Sequence, residues 1–207
     1  MIVAGLDLAA KPERCSGYAA IDLGELAVKE VGCLGDNESI INAVRNARVV
    51  AVDAPLTLPK RGGFREVDRL LIKVGGRVLP LTLRGMAMLT RRGINLAKNL
   101  ERLGVKVIET HPRSALVVSG CSTLQEVFDV LGIKVFEPYR PLLDTKRDLR
   151  DAAIAAVVAA CYLRGCATRI KAVDGEIWIL KKLCSEQRRK TAEVRGSNPR
   201  GLTKYLV

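Results

Sequence analysis

Apolar runs that stop at an acid set the pattern of this chain. Met1 to Leu8 is apolar except for Asp7, and Lys11 to Cys15 reads as a turn. Ser16 to Leu23 and Leu26 to Cys33 follow as a second and third strand, the latter with alternating polarity. Asp36, Asn37, Glu38 and Ser39 supply capping chemistry for a short amphipathic helix marked by Ile40, Ile41 and Val44. Arg48 to Asp53 is an unbroken apolar run closed by an acid, as expected of a strand covered on both faces. Leu56 to Gly63 is a Pro/Gly-rich loop. Phe64 to Val74 has helical spacing, and Gly75-Gly76 ends it. Val78 to Leu83 fits no single template. Met86 to Leu103 predicts a helix interrupted near Gly93, and Val105 to Glu109 a fifth strand. Pro112 suits the first position of a helix. Thr123 to Leu131 predicts another helix, Pro138 to Pro141 a loop, Asp148 to Arg164 the longest helix, and Val173 to Leu180 a last strand. The long helix is apolar almost all round, so it should pack between other elements. This order predicts a mixed five-stranded sheet flanked by helices, in the α/β class, with no internal repeats.

Composition narrows the class. The chain has 207 residues, 48% hydrophobic and 27% charged, which supports one cored domain and argues against disorder. No apolar run reaches the roughly 18–20 residues that a membrane span needs. The N-terminus has no basic leader and meets an acid at once, so no signal peptide is read and a cytoplasmic location is expected. Six cysteines, Cys15, Cys33, Cys121, Cys161, Cys166 and Cys184, form no Cys-x-x-Cys pair, and His111 is the only imidazole. Zinc is therefore not expected, and buried free thiols are the default reading. The scarcity of glutamine (Gln125 and Gln187) beside abundant Arg and Lys hints at a thermophilic source, in which intracellular disulfides become admissible.

The net charge is +12 and is uneven. Lys60 to Arg102 carries eleven Lys/Arg against three acids, and Lys181 to Val207 carries eight against two. Basic blocks favour polyanion partners such as nucleic acid. The domain is expected to end at residue 182, with 183–207 a basic, flexible tail. Gly196-Ser197-Asn198-Pro199 matches what the common T-loop sequence of a transfer-RNA gene encodes in one frame, so no selected function is assigned to the last residues.

The acids carry the candidate chemistry. Asp7 lies on the first strand, Asp53 ends the fourth and Glu109 ends the fifth. Ionised carboxylates beside a core are costly unless paired or bound to a cation. Asp148 and Asp151, three apart on the long helix, share one face. An oxygen-only set of this kind suits Mg²⁺ or Mn²⁺, in a one- or two-ion site. Each acid also has an ordinary reading: a turn start for Asp7, a strand end for Asp53, helix N-terminal acids for Asp148 and Asp151, and an arginine partner for Glu109.

Several blocks in order, Gly5-Leu6-Asp7-Leu8-Ala9, Ser16-Gly17-Tyr18-Ala19, Val52-Asp53-Ala54-Pro55-Leu56, Leu89-Thr90-Arg91-Arg92-Gly93, Val107-Ile108-Glu109-Thr110-His111-Pro112, Asp151-Ala152-Ala153 and Asp174-Gly175-Glu176-Ile177-Trp178-Ile179, resemble one family over roughly residues 2 to 182. It is the family called domain of unknown function 429, described as a predicted nuclease of the ribonuclease H-like superfamily. The resemblance implies a ribonuclease H-like sheet with Asp7, Asp53 and Asp151 as its acids. The Asp148/Asp151 pair is similar to the helix-borne pair of Holliday-junction resolvases in that superfamily. The chain departs from the usual pattern in its first helix, where no catalytic acid follows Glu38, and Glu109 is the candidate substitute.

The leading expectation is a metal-dependent nuclease acting on DNA or RNA. Its acids are Asp7, Asp53, Asp151, Asp148 and Glu109, and Arg61, Arg65, Arg91 and Arg92 grip the backbone. A non-catalytic nucleic-acid-binding protein on the same fold is the alternative. A nucleotide-dependent phosphotransferase is a minor one, because Asp7-Leu8-Ala9-Ala10 lacks a phosphate-loop glycine. A homodimer is left open. His111 is read first as a structural hydrogen-bonding residue and Trp178 first as a packing residue.

Overall fold

The computed structural model describes residues 1–184, and the expected basic tail from residue 185 onward lies outside the described residues. The element order is β1 (Ile2–Asp7), β2 (Ser16–Asp22), β3 (Ala27–Leu34), α1 (Asn37–Val44), β4 (Val49–Asp53), α2 (Glu66–Lys73), α3 (Arg84–Arg102), β5 (Lys106–Glu109), α4 (Pro112–Ser119), α5 (Leu124–Leu131), α6 (Arg140–Thr145), α7 (Arg147–Arg164), β6 (Ala167–Ala172) and β7 (Gly175–Leu180). Five strands form one sheet in the order β3-β2-β1-β4-β5, and β6 and β7 form a separate hairpin. β1, β2 and β3 are antiparallel, whereas β1, β4 and β5 run parallel. This is the ribonuclease H-like mixed sheet flanked by helices. No helix among the described residues is long and apolar enough to cross a membrane.

The period of two along the strands divides the core. Val3, Val49, Ala51 and Ile108 face the side that carries α7, while Ala4, Leu6, Val50, Val52 and Val107 face α1 and α3. By the same alternation Asp7 and Asp53 both fall on the α7 side. α7 lies across β1, β2 and β4 and also packs against α4, α6 and the hairpin, which is why it is apolar all round.

Two glycines set how close α7 comes. A Cβ at Gly5 would sit 2.1 Å from the backbone N of Ala156 and 2.2 Å from the carbonyl O of Ala152. A Cβ at Gly17 would sit 2.1 Å from the carbonyl O of Asp148. These are backbone atoms of the helix and cannot step aside, so only glycine admits the contact. The alanines of α7, including Ala152, Ala155 and Ala156, complete the close seat. Its consequence is positional: the first turns of α7, with Asp148 and Asp151, rest beside the C-terminal ends of β1 and β4.

Several expectations are corrected. α3 is continuous, because Gly93 interrupts nothing; a Cβ there would come within 3.1 Å of Ala54 Cβ and 3.2 Å of Pro55 O, so the glycine lets the helix pass close to the end of β4. The region read as a loop at Pro138–Pro141 leads into the short helix α6. The single last strand is one half of a hairpin, with β6 supplying the other. The cysteines are not free: Cys15–Cys33, Cys121–Cys184 and Cys161–Cys166 are disulfides. Pairing depends on which thiols meet in space, which spacing along the chain does not reveal. Beyond the expected domain end at residue 182, the backbone N–H groups of Leu183 and Cys184 both donate to Ser119 O.

Candidate active site

Asp7 and Asp53 are register partners on the adjacent parallel strands β1 and β4. The chain turns away to one side of the sheet from β1 and to the other from β4, so the acids stand at the crossover where open sheets place their ligands. Asp151, on the second turn of α7, joins them around one cavity of about 400 Å³. Arg77, His111, Arg113 and Arg147 line the same cavity.

The electrostatics of these acids share a cause. Burial comes first and neighbouring carboxylates second: Asp7 is pushed from its ordinary 3.8 up to about 7 by burial, then by Asp151 and Asp148. Burial, then Asp7, Asp151 and Glu109, push the Asp53 carboxyl well above the ordinary carboxylate range. Burial also raises Asp151, against the pull of Arg147, whose Nε lies 3.4 Å from its carboxylate. Arg147 stands four residues before Asp151 and so shares its helix face, a spacing that could have flagged it from sequence. Asp148 is exposed and lines a hollow on the other side of Asp7, with Lys11 and Arg14.

The carboxyl oxygens of Asp7 and Asp53 receive no hydrogen bond among the described residues. Crowded, hard oxygen donors without protein partners fit a divalent cation such as Mg²⁺ or Mn²⁺. The oxygens of Asp7, Asp53 and Asp151 do not all lie within 4.8 Å of one another, so the arrangement is wider than the shell of a single ion. Among the described residues, the triple that meets that distance is Cys121, Glu126 and Cys184. Its two sulfurs are joined to each other, and a disulfide has no thiolate to offer a metal.

Glu109 lies on the same cavity but is differently employed. Arg65 NH1 and NH2 donate to it at 2.8 and 2.5 Å, and Leu56 N–H at 2.8 Å. Burial pushes its carboxyl up, and these bonds pull it back. Val107 belongs to the α1/α3 core and Ile108 to the α7 core, so Glu109 falls on the parity opposite to Asp7 and Asp53.

The arginines expected to grip substrate are placed otherwise. Arg65 is 1% exposed, and its five N–H donors go to Asp68, Thr57 and Glu109, leaving none for a phosphate. Arg92 ties the loops around the site together, donating to Ala9 O, Gly35 O and Asn37 Oδ1. Arg61 and Arg91 are exposed and do not line the acidic cavity. Besides the fully bonded Arg65, the cations that do are Arg77, Arg113 and Arg147, and the last two come from outside the basic block at 60–102.

His111 caps α4. Its Nδ1 accepts from Ser114 N–H at 3.2 Å and lies 2.8 Å from Ser114 Oγ. Burial, then Arg113, hold its pKa down, so the ring is neutral and the tautomer this bonding assigns carries its proton on Nε2. Trp178 stacks edge-on against Tyr162, with ring centroids 4.7 Å apart.

No family model and no curated protein sequence matches this chain. Among solved structures it is similar to "T. thermophilus RuvC in complex with Holliday junction substrate", at TM-score 0.48 and 17% identity over 80% of this chain and 96% of that one. It is also similar to "Thermus thermophilus RuvC structure", at TM-score 0.47 and 16% identity over the same shares. By its own topology the chain is an α/β protein of ribonuclease H-like architecture with an acidic cleft at the ends of its central strands.

Proposed function

We propose that this protein is a divalent-metal-dependent nuclease that hydrolyses phosphodiester bonds in DNA or RNA, and that it belongs with the domain of unknown function 429 proteins it resembles. The observation that carries the reading is the meeting of Asp7, Asp53 and Asp151 around one cavity that arginines also line. The three aspartates, too widely spaced to close on one ion together, would share two hard cations, or two of them would hold one cation with water in its remaining positions. Such ions, when bound, supply Lewis-acid neutralisation of phosphate charge and lower the pKa of water. The remaining work falls to the chain. Arg77 and Arg147 hold non-bridging phosphate oxygens by charge-assisted hydrogen bonds. Arg147 also orients Asp151 along the helix face. Neutral His111 offers Nε2–H as a donor and not as a base, because Nδ1 is occupied. The Arg65–Glu109–Asp68 cluster touches no substrate in this scheme; it fixes the end of β5 and the backbone at Leu56, beside Asp53.

The test is a cleavage assay on end-labelled single-stranded, duplex, hybrid and branched substrates with Mg²⁺, Mn²⁺ or EDTA. Metal-dependent cutting is expected, reduced at least about 100-fold in Asp7→Asn, since removing even an outer-shell partner of a metal ligand costs 10–100-fold. Binding without cutting under every metal would replace this reading with a non-catalytic nucleic-acid-binding protein.

A further inference from the structure

A second cavity, of about 610 Å³, opens beside the acidic one and shares Arg113, Arg147 and Asp151 with it. Arg140 and Arg150 add two more guanidinium groups. The acids on its walls are Asp144 and Asp151, and the latter belongs to the acidic site. Arg140 donates to Gln125 Oε1 at 2.9 Å and lies near Glu137, and Arg147 is paired with Asp151. The guanidinium groups of Arg113 and Arg150 make no hydrogen bond or ion pair among the described residues, although the charge of Arg150 is felt by Asp151. Four like charges around one hollow repel, and an anion removes that repulsion. The rest of the lining is mainly apolar, with Leu116, Leu124, Phe128, Val135, Leu143 and Ile154 as the floor and Ser122, Thr123 and Gln125 beside them. A groove with a cationic rim and an apolar floor matches a molecule that has both phosphates and flat apolar faces.

We propose that this groove seats the strand that flanks the scissile phosphate, with an unpaired nucleotide laid on the apolar floor and its phosphate held by Arg113 and Arg150. A duplex presents only its sugar-phosphate wall and keeps its bases stacked inside, so it cannot use the floor. The preferred substrate is therefore single-stranded, or unpaired next to the cut. The proposal rests on the nuclease reading for the identity of the polymer, but the groove can be tested without metal or cleavage.

The experiment measures binding of fluorescein-labelled twelve-nucleotide DNA and RNA single strands, and of the blunt duplex, by anisotropy in EDTA over a salt series. The full-length wild type is compared with Arg113→Gln/Arg150→Gln and with Arg45→Gln/Arg48→Gln, exposed arginines at the other end of the sheet. Each phosphate that is no longer held lowers the salt slope for a single strand by about 0.7, so the groove variant, which releases the one phosphate held by both arginines, is expected to lose about 0.7. Its affinity is expected to fall about tenfold or more per arginine, in line with hydrogen bonds to charged groups. The distal variant keeps the wild-type slope, and the duplex binds more weakly than the single strand. An unchanged slope and affinity in a groove variant that still melts cooperatively would overturn the proposal, as would tighter binding of the duplex or no binding at all by wild type. Loss of cutting in Asp7→Asn with intact groove binding separates the two readings: the strand path then stands whatever the acids do.

Discussion

Asparagine in place of Asp53 is expected to raise the melting temperature of the metal-free protein at pH 8 while abolishing cleavage. Asp53 is half-buried and faces Asp7 and Asp151, so its ionised form is the unfavourable one. Asp7 shares the condition, with a pKa near 7. A carboxyl whose folded pKa lies above its unfolded value contributes stability that is complete below the unfolded pKa and is lost as pH rises through the folded one. For Asp7 that loss runs from about pH 4 to about pH 7. The metal-free wild type should thus become less stable over this window. Asp53→Asn removes one of the repelling charges and flattens the decline. One pKa unit corresponds to about 1.4 kcal/mol, and each kcal/mol moves the melting temperature of a chain this size by about 2–4 °C. A gain of several degrees at pH 8, vanishing near pH 4, is the expected signature in melting curves recorded in EDTA. A variant that melts below wild type at pH 8 would mean that the acids do not repel.

Breaking the buried cation is expected to have the largest structural effect. Arg65→Met leaves Glu109 and Asp68 in the core without their partner, a loss of about 3–5 kcal/mol for a broken buried pair. At 2–4 °C per kcal/mol the melting temperature should fall by about 6–20 °C. The damage should also reach the site, because Arg65 holds Glu109 and Thr57, and Glu109 in turn accepts from Leu56 N–H just beyond Asp53. Adding Asp68→Asn and Glu109→Gln removes the uncompensated charges and should recover most of the loss. If the triple variant melts no higher than Arg65→Met, packing and not charge is what Arg65 supplies.

The strands that carry Asp7 and Asp53 were legible in the sequence because a doubly covered strand is an apolar run, and an acid closing such a run is conspicuous. The mixed five-stranded sheet flanked by helices followed from the order of the elements. What the sequence did not disclose depends on contacts between distant segments. Gly5 and Gly17 looked like ordinary glycines in strands, and only the helix backbone above them explains them. Arg65 carried the same charge in the sequence as any surface arginine, yet it is buried against two acids. The basic block at 60–102 drew the expected phosphate grip toward itself, whereas the cavities recruit Arg113, Arg147 and Arg150 from α4 and α7. β6 was missed because Ala167–Ala172 is short and half polar, and its pairing with β7 supplies what its composition lacks.

Binding of divalent cations by Asp7, Asp53 and Asp151 is tested by calorimetric titration of Mn²⁺ into the wild-type protein at pH 6. Ligating carboxylates must be ionised, so a site whose acids hold protons at pH 6 releases them on binding. Run in two buffers of different ionisation enthalpy, the titration should show saturable binding with net proton release, shrinking by pH 8 and lost in Asp53→Asn. Absence of saturable binding in wild type, or equal binding in the variant, would mean that these aspartates hold no cation.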